Sequence, residues 1–253
     1  MSGRPVVVMC ALHQEVATLR TGLAAAADRL VGGRRVTEGT MAGRPVVVAE
    51  AGIGKVNAAV VTTQLVDRYR PEMILFTGVA GGLDPDLHVG DVVIGEVTIQ
   101  HDAGVIENEV LRIHQAGHVP FFNPSDRLGF RPSWGLLEVV RRAVRDIRLE
   151  PLAPSAGGLG RPPRIVFGPI LTGDQFVNCE QTRWRLHREL GGIAVEMEGA
   201  AVAQAAEGMN VDCLVVRALS DLAGVESTFD FVRFLDEVAT NSATVIRAIT
   251  AAL

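Results

Sequence analysis

The 253-residue chain is 48% hydrophobic and has a formal net charge of −5, which allows a full buried core and argues against a general affinity for nucleic acid, a partner that selects a basic face. The basic pairs Arg34-Arg35 and Arg141-Arg142 stand among acids and read as solvated surface. No apolar run approaches the ~20 residues of a membrane span, and the first residues lack the long apolar core and small-residue cleavage site of a signal peptide, so a cytoplasmic protein with neither a membrane nor a nucleic-acid partner is expected.

The first predicted strand is Val6 to Cys10, a β-branched run bounded by turn residues. A helix is predicted over Gln14 to Ala27, a strand over Val46 to Ala49, a helix over Gly54 to Arg70, and strands over Met73 to Phe76 and Val92 to Ile94. The stretch from Gly104 to Pro163 breaks this rhythm: it carries most of the prolines, the run Gly157-Gly158-Leu159-Gly160 and one convincing helix, Trp134 to Ile147. Its apolar patch His118-Val119-Pro120-Phe121-Phe122 is too greasy for a free linker, and a lid or subunit contact is expected there. A strand at Ile165 to Phe167, helices over Cys179 to Leu190 and Met197 to Gly208, a strand at Leu214 to Val216 and a helix over Phe231 to Ala252 complete the chain. Alternating strands and helices over the whole length predict one α/β domain, residues 1–253, in three α/β/α layers around a mixed, mostly parallel sheet. Cys10, Cys179 and Cys213 are far apart, without CxxC spacing or a nearby histidine pair, so neither a disulfide framework nor a metal site is expected.

In such sheets ligands collect beyond the carboxyl ends of strands. Four of these ends carry chemistry. Glu15 falls in the first turn of the first helix, where it could simply complement the helix dipole. Gly52-Ile53-Gly54-Lys55 lacks the upstream glycine and following hydroxyl of a P-loop, and Gly78-Val79-Ala80-Gly81-Gly82 fits no phosphate motif and could be a tight turn without a ligand. The last end, Arg217 to Asp221, lies downstream of Glu196 and Glu198. Arg217 could pair with Glu196 and Ser220-Asp221 could cap a helix, yet that leaves Glu15, Glu198 and Asp221 unexplained at one sheet edge.

Taken in order, Glu15-Val16, Ala51-Gly52-Ile53-Gly54-Lys55-Val56, Thr77 to Leu83, Val89-Gly90-Asp91-Val92-Val93, Thr172-Gly173-Asp174-Gln175-Phe176, Val195 to Ala200 and Arg217 to Asp221 give the chain an end-to-end resemblance to the nucleoside phosphorylase/hydrolase superfamily, and within it to the 5'-methylthioadenosine/S-adenosylhomocysteine nucleosidases. That resemblance implies a homodimer that releases adenine from a small-molecule nucleoside with water, using no cofactor and no metal. Carried onto matching positions, it makes Glu15 the base for the attacking water with Arg217 beside it, and Asp221 the acid toward adenine N7, placed by Ser220. Glu198 would hold the ribose hydroxyls, Met197 would pack on the sugar, and main chain around Phe176 and Val177 would read the base. Ile53 and Phe231 would line the 5' and base sites, with Phe229 and Phe234 as alternatives to Phe231. Val79, Ala80 and Gly81 would border the cleft, and Glu196 would be chiefly a structural partner with a minor role near the water.

The chain departs from the family pattern at His13-Gln14, where relatives often carry acids, and at Val79, where some carry serine. The Gly104 to Pro163 region is longer than in compact members, and the His118 to Phe122 patch is expected to reach the neighbouring active site. Two other readings remain open at this point. A phosphate-dependent purine nucleoside phosphorylase would need arginines and a serine near the glycine turns. A non-catalytic nucleoside-binding module could dispense with Glu15.

Overall fold

The computed structural model describes residues 3–153, 160–224 and 227–253, the last with side chains from Val238 onward. Side-chain alternation along the first strand, β1 (Val6–Cys10), sorts the core into two layers: Val6, Val8 and Cys10 face one apolar cluster, Val7 and Met9 the other. The same division holds in β5 (Met73–Gly82), by Met73 and Leu75 against Ile74 and Phe76. It holds again in β11 (Asp212–Asp221), by Leu214 and Val216 against Cys213 and Val215. Strands buried on both faces read as continuous apolar runs, which is why these were legible.

One layer is closed by α1 (His13–Arg20), α3 (Trp134–Val144) and α6 (Ser227–Ala252). The other is closed by α2 (Lys55–Tyr69) and α5 (Gly199–Gly208). The remaining elements are β2 (Ala24–Val31), β3 (Arg34–Met41), β4 (Arg44–Glu50), β6 (Val92–Gln100), β7 (Gly104–Glu107), β8 (Val110–Ile113), β9 (Ile165–Thr172), α4 (Glu180–Leu190) and β10 (Ala194–Glu196). Among the described residues, nine strands form one sheet in the order β10-β9-β6-β11-β5-β1-β4-β3-β2. Pairing is parallel along β4-β1-β5-β11 and β6-β9-β10, and antiparallel at β6-β11 and through β2-β3-β4. Ala194 and Val195 of β10 also pair antiparallel with Gly82 and Gly81, so the β10-β9-β6-β11-β5 half closes on itself. Among the described residues no helix is long and apolar enough to cross a membrane.

Three expectations need correction. The helix predicted over Gln14 to Ala27 ends at Arg20, and Ala24 onward is strand β2, paired with β3. Alanine favours helix locally, but the β2-β3-β4 meander overrides that preference by filling the sheet edge. Gly78 to Gly82 is not a turn: it is the second half of β5, hydrogen-bonded to β11. The strands predicted at Val92 to Ile94 and Ile165 to Phe167 are the first residues of longer ones, because β6 and β9 pair along their whole length through polar residues such as Thr98 and Gln100.

In the 104–163 region most described residues lie outside strands and helices. It holds the β7-β8 hairpin and α3, and Leu136, Val140, Val144, Leu149 and Leu152 join the main core. Part of the glycine run lies outside the described residues. Within this region Phe121 and Phe122 are each 83% exposed.

Candidate active site

The parallel run β1-β5-β11 brings the first and last thirds of the chain to one edge. Glu15 enters from the first turn of α1, where the backbone N–H of Leu12 donates to its Oε2 (2.9 Å) and the N–H of Val79 to its Oε1 (3.1 Å). The second of these bonds is made across the sheet, so it does work that a helix-dipole role alone would not require. Val79 thus contributes its amide at a position where a hydroxyl is lacking. Register pairs Arg217 with Gly78. A Cβ on Gly78 would sit 2.4 Å from Arg217 Nη1 and 2.8 Å from Glu15 Oε1, so only glycine lets this cation and this acid approach.

Arg217 is 1% exposed. Its Nη2 bonds Glu196 Oε2 and lies 3.5 Å from Glu198 Oε2, and its guanidinium stacks over the Phe76 ring at 4.3 Å. Among the described residues its Nε has no hydrogen-bond partner. Glu196 is already saturated: it accepts from the backbone of Glu198 and Gly199, from Thr172 Oγ1 and from Arg217. It therefore anchors the start of α5 and the guanidinium, as a structural partner would. Glu198, in contrast, accepts one backbone N–H, from Gly54 at 2.8 Å, and faces the cleft.

Three buried carboxylates around one guanidinium cannot all ionise freely. Burial first, then the adjacent Glu196 charge, push Glu198 up to about 7, against the pull of Arg217 and of the Gly54 N–H. Burial likewise raises Glu15, opposed by Arg217 and by the N–H groups of Leu12, Val79 and Ala11.

On β11 the pairing register shifts between Leu219 and Asp221, which makes Ser220 the extra residue of a bulge. Adjacent side chains of a regular strand point to opposite faces. Here they meet instead: Ser220 Oγ donates to Asp221 Oδ2 at 3.0 Å, while the Ala223 N–H donates to Asp221 Oδ1 at 2.8 Å. Gly81 is required beside them, since a Cβ there would lie 2.9 Å from Asp221 Oδ1.

These groups line one cleft of about 760 Å³ including its mouth, a size suited to a small organic ligand. Glu15, Arg217, Glu196 and Glu198 form one end and Ser220 and Asp221 the other. Val79, Ala80 and Gly81 run between them, Met197 is half-buried in the wall, Val177 and the partly exposed Phe176 also line the cleft, and Ile53, 55% exposed, stands at the mouth. Phe231 falls in α6, but its side chain lies outside the described residues, as do those of Phe229 and Phe234.

Sequence reasoning missed Ala11, Leu12, Gln175 and Val195 as lining residues. It also missed the roles of Phe76 and Thr172, apolar or small residues whose contacts exist only after the strands pair. Among the described residues no group of three His, Cys, Asp or Glu side chains could hold a metal ion.

The model of the phosphorylase superfamily matches residues 5–251. A 5'-methylthioadenosine/S-adenosylhomocysteine nucleosidase of Mycobacterium tuberculosis is 49% identical over 241 residues, covering 95% of this chain and 94% of the relative. The solved structure of such a nucleosidase from S. pneumoniae with the transition-state inhibitor MT-ImmA superposes with a TM-score of 0.82 at 30% identity, over 98% of this chain and 99% of that one. The futalosine hydrolase of Helicobacter pylori superposes with a TM-score of 0.82 at 26% identity, over 99% and 98%.

Proposed function

The chain belongs to the phosphorylase superfamily, and from that premise we propose that it is a hydrolase that cleaves the N-glycosidic bond of 5'-methylthioadenosine and S-adenosylhomocysteine, releasing adenine and the 5'-thioribose. The observation that carries the choice of water over phosphate is the set of donors around Glu15 and α2. The Gly54 and Lys55 amides at the start of α2, where a phosphate would be cradled, are taken by Glu198 and Asp174. Glu15, beside Arg217, would repel an anionic nucleophile.

In the proposed reaction a water held by Glu15 and Arg217 attacks C1' of the ribose as the C1'–N9 bond breaks. Its proton goes to Glu15. The electron pair of the broken bond stays with adenine, which takes the Asp221 proton at N7. Positive charge builds on the sugar and negative charge on the base in the transition state, so carboxylates near the ribose and a proton donor at the base act differentially there. Glu198 accepts from the 2' and 3' hydroxyls, Met197 packs on the sugar, and main chain at Phe176 and Val177 reads the base edge.

Adenine release from methylthioadenosine is expected to be unchanged by added phosphate. Release that requires phosphate would overturn the hydrolase in favour of a phosphorylase, and binding without release would leave a nucleoside-binding module. Run on methylthioadenosine, S-adenosylhomocysteine, 5'-deoxyadenosine and 6-amino-6-deoxyfutalosine, the same assay ranks the 5' groups.

Glu198 supplies a second expected result. It must be ionised to accept two hydroxyls, so kcat/KM falls as pH drops through its raised value near 7. Glu198→Gln is expected to raise KM by about tenfold or more, the usual cost of losing a charged acceptor, and to leave kcat/KM with only the acid limb of Glu15. A limb unchanged in the variant would reassign it.

The protein acts as a cytoplasmic homodimer in this reading. Ile53, Val56 and Val60 form an exposed stripe along α2 that starts at the cleft mouth, and Phe121 and Phe122 add a second exposed apolar patch. The occupant proposed for both is a second copy of the chain, with the His118 to Phe122 segment reaching the neighbouring cleft. Phe121→Ser/Phe122→Ser is expected to raise KM for substrates with a large 5' group, measured together with the mass in solution. A dimer with unchanged KM would place that segment elsewhere.

A further inference from the structure

Lys55 begins α2, and neither its charge nor its amide is used by the chemistry described above. Both are nevertheless engaged, in a closed ring of Lys55 with one residue from the loop after β6 and one from the loop after β9. The Lys55 backbone N–H donates to Asp174 Oδ1 (2.8 Å), the Asp174 N–H donates to Asp102 Oδ2 (3.0 Å), and Lys55 Nζ closes the ring by donating to Asp102 Oδ1 (2.7 Å). The pair is largely sheltered, with 20% of the Lys55 side chain and 16% of the Asp102 side chain exposed, so it is less screened than an ordinary surface ion pair. The ring continues inward: Lys55 Nζ reaches Gln100 Oε1 (3.3 Å), and Gln100 Nε2 donates to Gln204 Oε1 on α5 (2.7 Å).

On one side the ring holds Gly54, whose N–H reaches Glu198 at 2.8 Å, and on the other it holds Asp174, the residue before the Gln175 to Val177 wall. Gly54 has φ +93°, and a Cβ there would lie 3.1 Å from Asp174 Oδ1, so this junction is tight as well as hydrogen-bonded. The first turn of α2 has no acid of its own, and Glu198 and Asp174 supply the carboxylates there by accepting from the Gly54 and Lys55 N–H groups.

We propose that Lys55 and Asp102 are positioning residues that set the ribose carboxylate Glu198 and the base-side wall at a fixed separation, and that this separation is what makes the site select a ribose with its 2' hydroxyl. The two residues touch no substrate. They act through Gly54 and Asp174, and a displacement of about 1 Å in such a support can be costly for a preorganised site.

This inference rests on the nucleosidase reading with Glu198 on the ribose, so the test carries its own control. KM is measured for methylthioadenosine and for its 2'-deoxy counterpart in the parent, in Glu198→Gln, and in Lys55→Met, Asp102→Asn and Lys55→Arg, with thermal melts alongside. The parent is expected to bind the 2'-deoxy compound about tenfold or more weakly, since a buried acceptor loses its partner, and Glu198→Gln to lose that preference. If these two do not differ, the assignment of Glu198 fails. With that control in place, Lys55→Met and Asp102→Asn are expected to raise KM for methylthioadenosine about tenfold, to shrink the 2' preference to about twofold or less, and to change kcat by less than about threefold. Lys55→Arg, which keeps a donor toward Asp102, is expected to recover most of the preference. A parent-like 2' preference in the folded Lys55→Met and Asp102→Asn variants overturns the proposal. So does failure of the near-isosteric Asp102→Asn to fold, which would make the ring part of the framework.

Discussion

Asp221→Asn is expected to lower kcat for adenine release by about 10³-fold, within the range a general acid contributes, while the thermal midpoint moves by no more than about 3 °C. The two effects separate because of how Asp221 is held. Asparagine keeps the shape and an oxygen able to accept from the Ala223 N–H, which bonds Asp221 Oδ1 at 2.8 Å. It can also keep a contact with Ser220 Oγ, 3.0 Å away from Oδ2. What it lacks is a proton acidic enough to pass to adenine as the glycosidic bond breaks, so the base would have to leave as an anion. Steady-state adenine release and a thermal melt on the same preparation check the result. Turnover within tenfold of the parent would remove Asp221 from the reaction.

Glu15→Gln is expected to cost about 10³-fold in kcat, again on the scale of one lost proton-transfer group, with KM for methylthioadenosine changed by less than about threefold. Glutamine still fills the slot between the Leu12 and Val79 amides, which donate to the two carboxylate oxygens at 2.9 and 3.1 Å. It cannot take the proton of water. The pH sign follows from the same environment: burial raises Glu15 above the usual carboxylate range, and only its ionised form is a base, so kcat falls as pH drops through that raised value. In Glu15→Gln the acid limb of kcat should vanish, while the kcat/KM limb assigned to Glu198 persists. A kcat profile that keeps its acid limb in the variant would move the base elsewhere.

The Glu15 result depends on one structural device. Gly78 carries no side chain, so Glu15 and Arg217 can approach across β5, and the closed β10-β9-β6-β11-β5 half turns Glu196 and Glu198 toward the same point. Phe76 completes it by covering one face of the Arg217 guanidinium at 4.3 Å, a contact that a β-strand run read only as hydrophobic would not suggest.

The apolar cores of β1, β5 and β11 and the helices α2, α3, α4 and α5 were legible because their periodicity is local and strong. The β2-β3 hairpin was not: Ala24 to Ala27 prefer helix by themselves, and only pairing with Glu38 to Thr40 makes them strand. The polar tails of β5 and β11 were hidden for the opposite reason. Glycine, serine and acid residues read as turn, yet they are strand because the neighbouring strand supplies their hydrogen bonds, and they are polar because the site is built there.

The order of residues is enough to say which residue types could carry the chemistry and, through ordered motifs, the family to which they belong. It could also set the two-sided strands at the centre, since burial on both faces writes itself into consecutive apolar residues. Packing of distant strands brings Glu15, from the start of the chain, to face Arg217 near its end, consumes Glu196 with its donors while Glu198 keeps an open side, and closes the ring of Lys55 with Asp102 and Asp174. Sequence periodicity reports how a segment meets its surroundings. Which segment those surroundings are is set by strand order and register, and the fields that move the Glu15 and Glu198 protons exist only once that order is in place.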